Sequence, residues 1–128
     1  MPSFTQTLLY TDADGRARFK TTDIPLPDGS PQSQLSTLMP SGGYQLRHSP
    51  VGFESTFHCT QFPQWVFIVQ GIMEIGLQDG SWHRFTPGMH FFSADTLPAD
   101  AVFEPGVHGH RSRQVGADPL VTVFVRAN

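Results

Sequence analysis

Apolar and polar residues along this chain come in short alternating or mixed runs, each closed by Gly or Pro. No window of twelve or more residues free of Gly and Pro places apolar residues at i, i+3, i+4 and i+7, so the pattern predicts strands rather than helices. The runs FTQTLLYT and RARFKTT flank DADG, a turn whose Gly15 accepts positive φ. IPLPDGSPQ, with three prolines, reads as a surface connection, and QLSTLM and YQLRHS read as strands separated by PSGG. FESTFHC, QWVFIVQ, IMEIGLQ, WHRF, MHFFSA and LVTVFVR follow as further strands. Strands at this spacing without a crossover helix predict an all-β antiparallel sandwich or barrel in one domain spanning residues 1–128. In QWVFIVQ, Gln64, Val66, Ile68 and Gln70 share one face, and Trp65, Phe67 and Val69 share the other. Both faces are apolar enough to need cover. One is expected to face the interior, the other the N-terminal strands or a second subunit of a homodimer.

Composition narrows the classes. The 128 residues carry a net charge of −3, with one Lys and seven Arg and no basic cluster, which argues against a nucleic-acid partner. Cys59 has no second cysteine to pair with, which fits a reducing compartment. The first residues lack a basic segment leading into an apolar one, and no apolar run approaches the length of a membrane span. The expectation is a cytoplasmic protein with no membrane partner.

One stretch carries chemistry. Gly52, five residues, His58, one residue, Thr60, three residues, Gln64, six residues and Gly71 resemble the first motif of the cupin superfamily, G-x5-H-x-H-x3or4-E-x6-G. Thr60 stands at the second histidine and Gln64 at the glutamate. IMEIGLQDGSWHRFTPGMHFF then resembles the approach to the second motif: Gly88 fits its first glycine, Ala94 and Thr96 depart from it, and GHRSR offers His110 as its histidine. The resemblance covers roughly residues 44–126 and is similar to small single-domain bacterial cupins. It implies a double-stranded β-helix, or jelly-roll barrel, with an interior site on His58, Gln64 and His110. A divalent metal (Fe, Mn, Ni or Zn) is the implied cofactor.

Geometry and charge bear on that site differently. If residues 59–63 connect a hairpin, His58 and Gln64 oppose one another with Cβ atoms about 4.5–5.5 Å apart, close enough to share an ion. Gln64, however, is neutral, so a divalent ion held by two imidazoles and an amide keeps both its charges uncompensated in a buried site. Compensation would have to come from Glu54, Asp95, Glu104 or an anionic ligand. His58 and His110 are also the catalytic candidates; Gln64, Thr60, His108 and Arg111 are ligand-binding candidates, with His108 a spare ligand or base and Arg111 a carboxylate clamp. Cys59 is expected to point away from His58 as a small buried hydrophobe, and His90 to be a satisfied core or rim histidine. Three functions follow from these residues: a small-molecule-binding cupin, a metal-dependent dioxygenase or isomerase acting on a small organic acid or aromatic, and a metal-independent epimerase using a histidine as acid or base.

Overall fold

The computed structural model describes residues 2–128. The chain is all-β: β1 (Ser3–Thr11), β2 (Ala17–Pro25), β3 (Asp28–Ser30), β4 (Ser33–Leu35), β5 (Tyr44–Ser49), β6 (Gln64–Gln70), β7 (Ile72–Gly76), β8 (Trp82–Phe85), β9 (His90–Ala94), β10 (Arg111–Val115) and β11 (Leu120–Arg126). Among the described residues there is no helix, and hence none long and apolar enough to cross a membrane.

Six strands form one sheet in the order β2-β1-β9-β6-β11-β5, and three form a second in the order β10-β7-β8. Pairing is antiparallel except between β1 and β9, which run parallel over Leu8–Tyr10. The period-2 alternation sorts side chains between the faces as the strand geometry requires. Leu9, Val66, Ile68, Phe91 and Leu120 of the large sheet meet Met73, Ile75 and Phe85 of the small one in a buried core.

The two sheets are not closed into a barrel. Two isolated bridges, Glu54–Arg113 and His58–His110, link the 53–58 segment to β10 and the loop before it without forming a further strand. FESTFHC, expected as a strand, is instead an irregular segment that runs beside β10 and the loop before it, tied by backbone hydrogen bonds at Phe53, Ser55 and His58. QLSTLM contributes only its first two residues to the short β3–β4 hairpin, whose start lies in the proline-rich connection. The N-terminal hairpin β1–β2 extends the large sheet edgewise, and it covers the Trp65–Phe67–Val69 face only in part, where Phe4 and Ile24 approach Trp65 and Phe67.

Candidate functional site

At one end of the sandwich the inward positions change from apolar to polar. Ser93 follows Phe91 on β9 and Ser112 sits inward on β10; both are buried. Gln64 opens β6 opposite Ser93, and Gln45 and Arg47 face inward from β5. Together with His58, Thr60 and His110 they line a cavity of about 340 Å³ whose apolar floor includes Val66, Met73, Ile75 and Phe91.

His58 and His110 face each other across an exchanged pair of backbone hydrogen bonds, His58 N to His110 O at 2.8 Å and His110 N to His58 O at 3.0 Å. Their ring centroids are 4.8 Å apart. Gly109 permits this approach. Its φ is +85°, and a Cβ there would stand 2.6 Å from the His58 carbonyl oxygen, so any other residue both strains the backbone and pushes the two segments apart. The predicted hairpin partner of His58 was Gln64; the structure pairs His58 with His110 instead, because 59–63 runs without strand pairing. His58, Thr60, Gln64 and His110 nonetheless line one cavity. His108 and Arg111 do not line it. The His108 ring packs at Gly15 and accepts a hydrogen bond from the Glu104 amide. Arg111 alternates outward from Ser112 and stacks on Phe57 and Trp82. Cys59 lines the cavity beside His58, since the irregular segment does not obey strand alternation; burial pushes its thiol pKa up, away from nucleophilic use.

Both imidazoles have Nδ1 committed. His110 Nδ1 donates to Asp95 Oδ2 at 2.8 Å, and Asp95 is fully buried. The other Asp95 oxygen lies 2.7 Å from the Thr11 hydroxyl. His58 Nδ1 donates to the Thr56 carbonyl at 2.8 Å. A carboxylate and a carbonyl can only accept, so each ring carries a proton on Nδ1, and a ring in its neutral form then has its lone pair on Nε2. His110 is buried, while His58 is exposed at the cavity mouth. Burial lowers the His58 pKa, and the neighbouring His110 and Arg47 add to the effect, against the opposing hydrogen bond to Thr56. The ring is therefore neutral at pH 7. Thr60 does not offer its hydroxyl freely; it shares a hydrogen bond of 2.8 Å with Ser93.

A divalent metal fits this set poorly. No group of three or more His, Cys, Asp or Glu side chains is gathered to hold an ion among the described residues. Asp95 reaches His110 through Nδ1 and not the cavity, and no carboxylate side chain lines the cavity, whereas Arg47 and Arg126 both do. Neither arginine forms an ion pair among the described residues. Two arginines and no acid oppose a bare cation and favour an anion. Of these residues, Asp95 was foreseen only as a source of charge for a metal, and Arg47, Ser93, Ser112 and Thr11 were not foreseen. Strand parity was the available signal, since Phe91, Ser93 and Asp95 alternate inward together.

No protein-family model matches the chain, and no curated protein does either.

Proposed function

We propose that the chain is a small-molecule-binding protein of the cupin kind, a jelly roll whose cavity takes an organic acid without a metal. The observation that carries this reading is the lining: Arg47 and Arg126 free of ion pairs among the described residues, no acidic side chain, and two imidazoles with Nδ1 committed, whose neutral forms offer lone pairs on Nε2. The guanidinium groups suit a carboxylate. The lone pairs repel an anion but accept from a hydroxyl or N–H group, so the ligand class is a small carboxylic acid bearing such a donor. The Val66, Met73, Ile75 and Phe91 floor accommodates its apolar part. Gln64, a liability beside a metal, can both donate to and accept from this ligand.

The test is thermal unfolding in EDTA against a panel of hydroxy and amino acids. A ligand at about 100 times its Kd adds roughly 2.7 kcal/mol of stability, a shift that is easily measured. The shift should vanish in Arg47→Ala or Arg126→Ala. Stabilisation that appears only after a divalent ion is added would refute the reading.

The Asp95–His110 pair favours one second reading. A buried carboxylate behind a histidine whose Nε2 opens to a cavity is an arrangement suited to general base catalysis, as a metal-independent epimerase requires. That reading expects turnover insensitive to chelators and abolished by His110→Gln.

A further inference from the structure

The outward face of the six-stranded sheet is a second surface that the cavity does not use. Register aligns Tyr44 with Val125 and Trp65, and Leu46 with Val123 and Phe67, so apolar side chains run in rows across β5, β11 and β6. Across β9 the row continues with Phe92, opposite Trp65, and reaches Leu8 of β1. No Asp, Glu, Lys or Arg occupies an outward position on these five strands; charge enters only with Arg18 and Lys20 on the far strand β2.

This face is too exposed for a monomer surface. Tyr44 and Leu46 are each 73% exposed, Val69 55%, Phe4 42% and Phe67 37%. With Leu38, 99% exposed on the segment that crosses one side of the face, these residues present on the order of 800 Å². The largest apolar patch of a typical monomer is about 300–600 Å², whereas one side of a standard specific interface is about 800 Å². A groove of about 400 Å³, lined mainly by Phe4, Ile24, Leu26, Met39, Trp65 and Phe67 and also by Arg126, indents the face beside Leu38. His90 lies at its border, ringed by Phe4, Trp65 and Phe67 with centroids 4.9, 5.4 and 5.9 Å away, and its Nε2 is buried without a hydrogen-bond partner.

We propose that this face is the interface of a homodimer in which two copies stack their six-stranded sheets back to back about a twofold axis. The area matches one half of a standard interface, and with no outward charge on these five strands and Arg126 the single charged residue lining the groove, there is no charge cluster to select an acidic, basic or nucleic-acid partner. A self-complementary patch is what a twofold interface requires. Sheets stacked in this way cross at about −30°, and Leu38, 99% exposed, is the apolar side chain each copy holds out beside its groove. The inference does not depend on what fills the cavity.

Sedimentation equilibrium at about 1–100 µM decides it. The expected species has twice the 14.2 kDa chain mass. The double substitution Leu46→Asp with Phe67→Arg should give a folded monomer, while Val102→Asp, 82% exposed on the loop between β9 and β10, should remain dimeric. Should the double variant not fold, Leu38→Asp, which has no burial to lose, should weaken dimerisation by about tenfold or more. A wild-type monomer at the highest concentration, or a dimer indifferent to Leu38→Asp and to the face substitutions, would overturn the proposal.

Discussion

Asp95→Asn is the sharpest perturbation of the site, because one buried carboxylate organises two elements. In the wild type, Asp95 takes hydrogen bonds from His110 Nδ1 at 2.8 Å and from the Thr11 hydroxyl at 2.7 Å. The asparagine keeps one acceptor oxygen. If that oxygen faces His110, the amide nitrogen faces Thr11, whose hydroxyl turns to the Thr96 carbonyl 2.9 Å away. All groups then stay bonded and only the charge assistance is lost. If the amide is reversed, its N–H₂ faces Nδ1, and His110 must move its proton to Nε2, inside the cavity. A hydrogen bond to a charged group contributes about 1.5–3 kcal/mol and a neutral one about 1, so the expected loss is roughly 2 kcal/mol. For a chain of this size that lowers Tm by on the order of 8 °C. Thermal unfolding reads the first effect, and nitrogen chemical shifts of the imidazole read the second. The wild type should show His110 protonated at Nδ1; the variant should populate the Nε2–H form and bind its acid ligand more weakly. Thr11→Val separates the two effects, since it should cost about 1 kcal/mol and leave the tautomer unchanged. A wild-type His110 protonated at Nε2, or an Asp95→Asn variant as stable as the parent, would refute the reasoning.

Gln64→Glu should return the missing negative charge to the cavity and tighten Zn²⁺ or Fe²⁺ binding by about tenfold or more in calorimetry; an unchanged affinity would mean that position 64 is not directed at the imidazoles. Gly109→Ala should cost about 3 kcal/mol or more, read by chemical denaturation, because the added Cβ meets the His58 carbonyl at 2.6 Å and φ is +85°. Burial lowers the pKa of both His58 and His90, so in mild acid the unfolded chain binds protons that the folded chain does not. Stability should therefore fall as pH drops from about 6.5 toward the folded pKa values, and the double substitution His58→Gln with His90→Phe should flatten that slope. A Tm independent of pH between 7.5 and 5.5 in the wild type would contradict this. Thr60→Val should cost about 1–3 kcal/mol in denaturant unfolding by stranding the buried Ser93 hydroxyl, whereas the double variant with Ser93→Ala should recover part of that loss.

The strands were legible because a period of 2 is a local property. QWVFIVQ states its own two faces, and the core follows directly from its even positions. Closure was not legible, because whether β5 meets β10 depends on loops whose conformation no periodicity records. The same boundary divides the site. Spacing from Gly52 to Gly71 was enough to nominate His58 and Gln64, but a hairpin between them assumes that 59–63 is a tight connection. In fact that segment is free to carry His58 across to His110, because Gly109 lets the two backbones touch. Asp95 shows the limit most clearly. Its parity with Phe91 and Ser93 aims it inward, yet its chemical role depends on Thr11, 84 positions away, and on a parallel pairing of β1 with β9 that local pattern cannot specify. A carboxylate read without its partners looks like a metal ligand. Bound at both oxygens to Thr11 and His110, it becomes the group that decides which imidazole nitrogen the cavity receives.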